Sequence, residues 1–330
     1  MKQPLRCLVV CQAGEGVGLG HLMRSIVAAR YLQKLLNAEI QFLIQGDAVD
    51  PSILGGLPFE AISKDQDLEF ALQNSAKFFD PDVMVMDLFG PWVPHNLSNN
   101  LKSFKGQVKL VAIDALDGCL SLLDLLFIPS FLQPKDAEQL PVNTVFGWDC
   151  FLLNVLAKRE SVQTQSRVLV LTGGTDATGL GQTWPALLNN ALPAEALVDW
   201  VTGPYAKTPL WPTNPKVHIQ NHLAPKGLSG LMHQASFALT VYGVSFYELL
   251  YLGLPTVVFS PYGAKDRREL DAIHQKGIAL VANDEVHAVQ LLTELMSSPA
   301  LAKTLSLQAR ETLSKPGGQM LALEIAKLLS

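Results

Sequence analysis

Two glycine-rich turns, one in each half of the chain, limit most strongly what this sequence can fold into. The first covers residues 14–21 and the second covers residues 172–176. Each turn follows a short apolar run and precedes apolar residues at helical spacing, which is the order of a strand–turn–helix unit. A turn of this kind brings backbone N–H groups and the positive end of a helix close to an anion. The sequence therefore predicts two similar α/β domains that bind one anionic ligand in a cleft between them.

The same alternation of strands and helices continues through both halves. Strands are predicted at residues 5–10, 40–44, 83–86, 110–113, 125–128, 168–171, 197–201, 217–219, 237–241 and 256–259. Helices are predicted at residues 22–36, near 225–234, 245–252 and 266–276, and in two or three segments after residue 285. The strands are continuous apolar runs, as in parallel sheets that are buried on both faces. A polar, aperiodic segment at 157–166 predicts a linker between domains 1–156 and 167–330.

Composition excludes several classes of protein. The chain has 330 residues, a net charge of −5 and no Lys/Arg-rich run, so we expect no nucleic-acid partner. No uncharged apolar run reaches the roughly 18 residues of a membrane-spanning helix, and the N-terminus lacks the pattern of a signal peptide. The four cysteines have no metal-binding or redox spacing, which predicts free thiols in a cytoplasmic protein. We expect a monomer or a weak dimer.

The motifs exclude further kinds of chemistry. The first turn is not a dinucleotide-binding fingerprint, because a G-x-G start at Gly14 or Gly16 places Leu19 or His21 at the sixth position. The sequence has neither a P-loop pattern nor the G-x-S-x-G pattern of a serine hydrolase. No HxH or HExxH pattern occurs, so we predict neither a catalytic metal nor a cofactor.

His21 opens the helix that follows the first turn, and Arg24 lies one turn later on the same face. The positive helix end disfavours a protonated imidazole, so His21 can accept a proton near neutral pH. Arg24 offers a fork of donors to an oxyanion or a phosphate. With Gly18 and Gly20 before them, the two residues form a candidate catalytic site. The alternative is that His21 only caps the helix and that Arg24 is a solvated or ion-paired surface residue.

Polar residues and glycines follow several of the predicted strands. Ligands of open α/β sheets bind beyond the carboxyl ends of the strands, so residues at those ends are expected to line the cleft. These candidate substrate-binding residues are Asp87, Asp114, Gly173, Gly174, Thr175, Asp176 and Gly203. The glycines let a ligand approach the backbone. The alternative for the second turn is an ordinary tight turn with Asp176 as a helix cap.

The turn near residue 243 has two interpretations. In the first, Gly243, Val244 and Ser245 hold a phosphate, and the Glu248 carboxylate accepts hydrogen bonds from both hydroxyls of a ribose. In the second, Ser245 and Glu248 form an S-x-x-E capping box, which needs no ligand. Residues 266–269 fit a second capping box at the next strand-to-helix crossing.

Residues 18–24 resemble the G-x-G-H-x-x-R turn of the nucleotide-sugar hydrolase family that makes precursors of pseudaminic acid, a bacterial nine-carbon sugar. Residues 111–114, 168–176 and 242–255 resemble further motifs of that family, and the order and spacing of the motifs agree. The family is similar to the larger GT-B glycosyltransferase superfamily.

The resemblance implies a GT-B fold, with two Rossmann-like domains and a cleft between them. The C-terminal domain would bind UDP, with residues 243–245 on the diphosphate and Glu248 on the ribose. The N-terminal domain would supply His21 as the base for a water that attacks the anomeric carbon and expels UDP with inversion. Asp266 stands where the family has an asparagine that helps to hold the water. The implied substrate is a UDP-linked amino sugar of pseudaminic acid-like or surface-glycan biosynthesis, and no metal is implied.

Two alternatives to hydrolysis remain open. A glycosyltransferase would use the same site to move the sugar onto an acceptor hydroxyl, with apolar contacts from residues 54–59 or 89–96. A non-catalytic nucleotide-sugar-binding or partner protein is the second alternative. Two departures from the family pattern support it: Tyr242 replaces a glycine in the phosphate turn, and Asp266 adds negative charge near a diphosphate.

Overall fold

The computed structural model describes residues 4–47, 49–114, 116, 118–134, 140, 143–155, 166–260 and 262–330. The chain folds into two compact units. The first comprises Met1–Leu153 and Pro316–Ser330, and the second comprises Asn154–Lys315. None of the helices among the described residues is long and apolar enough to cross a membrane.

The described part of the first unit contains a seven-stranded parallel sheet in the order β3-β2-β1-β4-β5-β6-β7. Its strands are β1 (Arg6–Ala13), β2 (Glu39–Gly46), β3 (Phe59–Ile62), β4 (Val83–Asp87), β5 (Lys109–Ile113), β6 (Leu125–Ile128) and β7 (Thr144–Phe146). Its first three helices are α1 (Gly20–Leu36), α2 (Leu68–Phe79) and α3 (Leu97–Lys102). Because side chains alternate along β1, Val9 packs in one core layer with α1, and Leu8 packs in the opposite layer with α2 and α3.

The described part of the second unit contains a six-stranded parallel sheet in the order β10-β9-β8-β11-β12-β13. Its strands are β8 (Arg167–Leu171), β9 (Leu197–Thr202), β10 (His218–Leu223), β11 (Phe237–Val241), β12 (Thr256–Phe259) and β13 (Leu280–Ala282). Its helices are α4 (Trp184–Ala191), α5 (Ser229–Gln234), α6 (Val244–Leu252), α7 (Arg267–Lys276), α8 (Glu285–Ser297) and α9 (Pro299–Thr312). Trp184 and Trp200 are fully buried in the core on one face of this sheet.

The predicted α/β class and the parallel sheets are confirmed. Each predicted strand has a counterpart, with ends shifted by up to four residues. The predictions missed β3, β7 and β13, which have four, three and three residues and lie at sheet edges. Segments this short have too little apolar surface to give a strand pattern. The predicted linker at 157–166 lies outside the described residues except for Ser166.

The last helix, α10 (Gly318–Leu328), packs on α1 and belongs to the first unit. This position differs from the expectation that residues 167–330 form one domain. The backbone N–H of Gly317 donates to the carbonyl of Phe151 at 2.7 Å. Gly318 lies against the ring of Tyr31, and a Cβ on Gly318 would lie 2.2 Å from Tyr31 Cδ2. This close approach of a helix backbone to a ring requires glycine.

Substitution Gly318→Ala is expected to destabilise the first unit by about 1–3 kcal/mol, because the added methyl group overpacks the contact between α10 and α1. Denaturant unfolding followed by circular dichroism measures the change. Gly230→Ala in α5 is the matched control, since a Cβ there has no heavy atom within 4 Å. Equal stability of Gly318→Ala and the unchanged protein would contradict the close packing of α10.

Candidate functional site

The first unit brings His21, Arg24 and Asp87 together. His21 and Arg24 lie in the first turns of α1, and Asp87 is the last residue of β4. The Asp87 side chain has 0% exposure, whereas His21 and Arg24 keep 18% and 12%. His21 Nδ1 lies 2.6 Å from Asp87 Oδ1, and Arg24 donates to both oxygens of Asp87, at 2.9 Å from Nε and 2.6 Å from its terminal nitrogen. His21 therefore does not cap its helix, and Arg24 is largely buried but ion-paired, which agrees with the ion-pair part of its alternative interpretation.

The contact with Asp87 fixes the tautomer of His21. A ring nitrogen 2.6 Å from a carboxylate oxygen must carry the proton, so Nδ1 is the donor. The terminal nitrogen of Arg24 lies 3.2 Å from the same Nδ1, but both groups are donors that converge on one oxygen of Asp87. With Nδ1 as the donor, Nε2 is the ring nitrogen that accepts a proton when the imidazole is neutral. This arrangement of carboxylate and imidazole is the one that general bases use.

Electrostatics keep Asp87 ionised. Burial alone would raise the pKa of Asp87, but the Arg24 guanidinium and the hydrogen bond from His21 outweigh burial and hold that pKa below its usual range. Burial alone would lower the pKa of Arg24, and Asp87 raises it above its ordinary value. Arg24 also contacts Asp114 at 3.4 Å, and Asp114 is 49% exposed. Asp114 has a positive φ of 69°, which turns the chain sharply after β5.

Substitution Asp87→Asn is expected to cost about 3–5 kcal/mol at neutral pH, because it leaves Arg24 as a buried charge without its main partner. Because the pKa of Asp87 is lowered in the folded protein, its contribution to stability is present above the pKa of the unfolded state. That contribution is lost as the pH falls through the pKa of the folded state. The free energy of unfolding, measured with urea from pH 7 down to pH 3, should therefore fall less steeply in Asp87→Asn than in the unchanged protein.

Asp114→Asn is the matched control for that experiment. Its half-exposed carboxylate lies at the longer distance of 3.4 Å from Arg24, so the loss should stay below about 1 kcal/mol. Equal losses in the two variants would contradict the role of Asp87 as the main partner of Arg24.

The first glycine-rich turn is partly closed by its own hydrogen bonds. Gly14 and Gly18 exchange backbone hydrogen bonds, and the N–H of Glu15 donates to the Asp47 carboxylate at 2.6 Å. These N–H groups already have partners, which differs from the expectation that the whole turn offers free donors to an anion. Gly20 is the first residue of α1 and lies at its positive end. A role of Gly18 and Gly20 in binding substrate stays a prediction.

A buried amide that was not among the predicted site residues holds the loop after β4. Gln12 Oε1 accepts from the backbone N–H of Phe89 at 2.7 Å, and Gln12 Nε2 donates to Gln45 Oε1 at 2.8 Å. The Phe89 ring lies edge-on to the His21 imidazole, with centroids 6.1 Å apart. In the sequence, Gln12 is marked only as a polar residue near the carboxyl end of an apolar strand. Ligand sites of open α/β sheets lie at these strand ends.

In the second unit, the turns after β8 and β9 pack together. A Cβ on Gly203 would lie 2.4 Å from the carbonyl oxygens of Gly173 and Gly174, so these three predicted residues share one tightly packed corner. Thr175 is half-buried beside them. Asp176 accepts from the N–H groups of residues 180 and 181, both at 2.8 Å. The Asp176 carboxylate therefore caps the following turn, in agreement with the alternative interpretation of this residue.

The turn before α6 lacks a side-chain cap. The helix α6 begins at Val244. Its N-cap residue is Gly243, which has no side chain that could accept from the first N–H groups. The predicted capping box of Ser245 with Glu248 is absent, because the helix begins at Val244, two residues earlier than that box requires. The Tyr242 hydroxyl lies 2.6 Å from the Tyr247 hydroxyl, which holds the Tyr242 ring beside the helix.

Glu248 is buried in the second unit. Its Oε1 accepts from the backbone N–H of Asn154 at 2.9 Å. Burial raises the pKa of Glu248 to about 7, although the hydrogen bond from Asn154 lowers it in part. The proposed ribose contact of Glu248 stays a prediction, and one of its two oxygens already has this backbone partner.

Replacing Glu248 by glutamine is expected to remove a pH dependence of stability. The raised pKa means that the stabilising proton is fully present below the unfolded pKa of about 4.3 and is lost as the pH rises through about 7. From pH 4.5 to pH 8 the unchanged protein should lose up to about 3 kcal/mol that Glu248→Gln keeps. Urea unfolding across this range measures the difference. The exposed Glu294→Gln is the control, and a pH profile of Glu248→Gln like that of this control and of the unchanged protein would contradict the raised pKa.

Asp266 lies directly before α7 and accepts from the Ser260 hydroxyl at 2.5 Å. Its side chain does not bond to the first N–H groups of α7, so the predicted second capping box is also absent. The catalytic role of Asp266 stays a prediction. Within the described residues, no group of three or more His, Cys, Asp and Glu side chains is placed to hold a metal ion.

The fold of the chain is the GT-B fold, with two Rossmann-like units. The structure is similar to MurG of Acinetobacter baumannii, with a TM-score of 0.64, 16% identity and coverage of 98% of this chain and 99% of that one. It is also similar to UGT2 of Phytolacca americana in complex with UDP-2-fluoro-glucose and pterostilbene (TM-score 0.66, 13% identity, 99% and 100% coverage). A third similar structure is UDP-GlcNAc 2-epimerase of Neisseria meningitidis bound to UDP-GlcNAc (TM-score 0.62, 12% identity, 98% and 100% coverage). No protein-family model and no curated protein matches the sequence.

Proposed function

We propose that this protein is an enzyme that acts on a UDP-linked amino sugar and that His21 is its general base. The hydrogen bond between His21 Nδ1 and the buried Asp87 supports this role most directly, because it leaves Nε2 as the acceptor of a proton. The likeness of the fold to structures named as glycosyltransferases and as a UDP-GlcNAc 2-epimerase supports the nucleotide sugar as the class of substrate.

The proposed reaction is hydrolysis with inversion. A water oxygen attacks the anomeric carbon while His21 Nε2 takes a proton from that water. The bond between the anomeric carbon and the phosphate oxygen breaks, and UDP leaves with the electron pair. Asp87 stabilises the imidazolium that forms, as the carboxylate does in catalytic triads. Arg24 keeps Asp87 ionised throughout, so it is a positioning residue in this reaction.

The second unit would bind the nucleotide. The uncapped start of α6 at Val244 offers backbone N–H groups and the positive end of a nine-residue helix to the diphosphate. These groups would also stabilise the charge that develops on the departing UDP. Glu248 would take the ribose hydroxyls with the oxygen that Asn154 does not bind. The metabolic setting proposed for this chemistry is pseudaminic acid-like or surface-glycan biosynthesis.

Transfer of the sugar to an acceptor hydroxyl is the second candidate function. Two of the similar structures are named as glycosyltransferases. The same His21 Nε2 would then deprotonate the acceptor hydroxyl in place of water. Release of UDP that depends on an added acceptor distinguishes transfer from hydrolysis.

Substitution His21→Ala is expected to lower kcat for UDP release by about 10²–10⁴-fold, which is the usual contribution of a general base. UDP release from a panel of UDP-sugars measures the rate, and UDP affinity from calorimetry should stay unchanged because UDP binds the second unit. The exposed His218→Ala is the matched control and should keep its activity.

Two outcomes would overturn parts of this proposal. UDP release that survives His21→Ala would exclude His21 as the base. A protein that gains no thermal stability with UDP, CMP, GDP or ADP would favour the non-catalytic alternative, since saturating ligand adds about 2.7 kcal/mol at 100 times its Kd.

A further inference from the structure

A buried chain of amide hydrogen bonds fixes the loop that follows β4. Gln12 is fully buried in β1, and its two amide atoms bond to the Phe89 N–H and to Gln45 Oε1. Gln45 continues the chain, because its Nε2 donates to the carbonyl of Gln66 at 3.0 Å. A buried amide is costly unless its groups are bonded. We therefore expect Gln12 to fix the position of the Phe89 backbone.

The held loop presents one aromatic ring beside His21 and a second ring beside the first. Phe89 lies edge-on to the imidazole, and Trp92 lies 6.3 Å from Phe89 at an interplanar angle of 80°. A short turn fixes Trp92, since its N–H donates to the Phe89 carbonyl at 2.8 Å. Both rings are half-buried, so part of each ring stays open to a ligand.

We propose that Phe89 and Trp92 form a binding surface for the C–H face of a pyranose ring and that Gln12 is its positioning residue. The assignment of the ring as a sugar rests on the proposed function. A pyranose has an apolar face of C–H groups and a polar rim of hydroxyls. Aromatic rings bind such an apolar face, and a few nearby polar groups fix its orientation. The surface also shields the side of His21 that it covers from water, which strengthens the interaction of His21 with Asp87.

The positioning role of Gln12 can be separated from its contribution to stability. Gln12→Met has a similar shape but leaves the Phe89 N–H and Gln45 Oε1 without this partner, so it should unfold more easily. Gln12→Met combined with Gln45→Met removes both members of the amide–amide hydrogen bond and should recover part of the lost stability, because Gln45 Oε1 is then no longer left without a donor. Both variants should lose the fixed position of Phe89.

Nuclear magnetic resonance of histidine-labelled protein measures that position. The ring current of Phe89 shifts the imidazole C–H signals of His21, which are assigned by their loss in His21→Gln. In Gln12→Met and in the double variant these signals should move toward their positions in Phe89→Leu, while the signals of His222 stay in place. Unchanged His21 signals in the stable double variant would overturn the positioning role.

Saturation-transfer measurements with free N-acetylglucosamine test the sugar surface. Irradiating the aromatic protons should transfer saturation to C–H protons on one face of the sugar, and Phe89→Leu and Trp92→Leu should each abolish most of the transfer. The exposed Phe78→Leu in α2 is the control and should keep it. Absence of transfer in the unchanged protein, or equal transfer in all three variants, would overturn the pyranose assignment.

Free UDP-GlcNAc distinguishes a donor sugar from an acceptor sugar. If the surface binds the donor, Phe89→Leu should raise the KM for UDP-GlcNAc without an acceptor and leave the Kd of UDP unchanged. If the surface binds an acceptor, Phe89→Leu should weaken only the stimulation of UDP release by N-acetylglucosamine. Because neither the imidazole signals nor the saturation transfer needs turnover, a protein without UDP release would fail the proposed function and could still pass these two tests.

Discussion

The buried carboxylate of Asp87 is the interaction on which the candidate site depends. A carboxylate with no exposure stays charged only if cations or donors compensate the lost hydration. Arg24 provides that compensation with a two-pronged contact, and His21 adds a third donor. The same contacts tie the first turns of α1 to the end of β4. The position of the His21 imidazole is thus set by the ion pair of Arg24 and Asp87.

The sheet order explains why this pair forms. β1 and β4 are neighbours in the first sheet, and Cys11 in β1 lies opposite Asp87 in β4. The chain leaves β1 and enters α1 within seven residues, so His21 and Arg24 reach the end of the adjacent strand. In a parallel sheet, the helix that follows one strand begins at the carboxyl end of the sheet, where the neighbouring strand also ends. The site follows from topology together with the identity of three side chains.

The sequence predicted the members of this site but not their bonds. His21, Arg24 and Asp87 stood out because each lies at a strand end or helix start, yet Asp87 is 66 residues from His21 and strand order is not a local pattern. Glu248 shows the opposite case, since a local S-x-x-E pattern suggested a cap and a distant backbone N–H from Asn154 determines its environment. Gln12 was missed because one polar residue in an apolar strand gives no hint of its partner. The position of α10 was missed because no local pattern records which core a terminal helix joins.

The two glycine-rich turns differ in which of their groups are already hydrogen-bonded within the protein. In the first unit, the Asp47 carboxylate accepts a hydrogen bond from the Glu15 N–H of the turn. The Asp87 carboxylate accepts from His21 and Arg24 at the start of α1. The start of α1 lacks a side-chain cap, so this unit keeps backbone donors beside the imidazole of His21. In the second unit the turn after β8 is closed by Asp176, whereas α6 begins without a side-chain cap. A helix start without a side-chain cap leaves backbone N–H groups that can bind an anion. Both α1 and α6 begin in this way, and the start of α1 also carries His21, which is bonded to the buried Asp87.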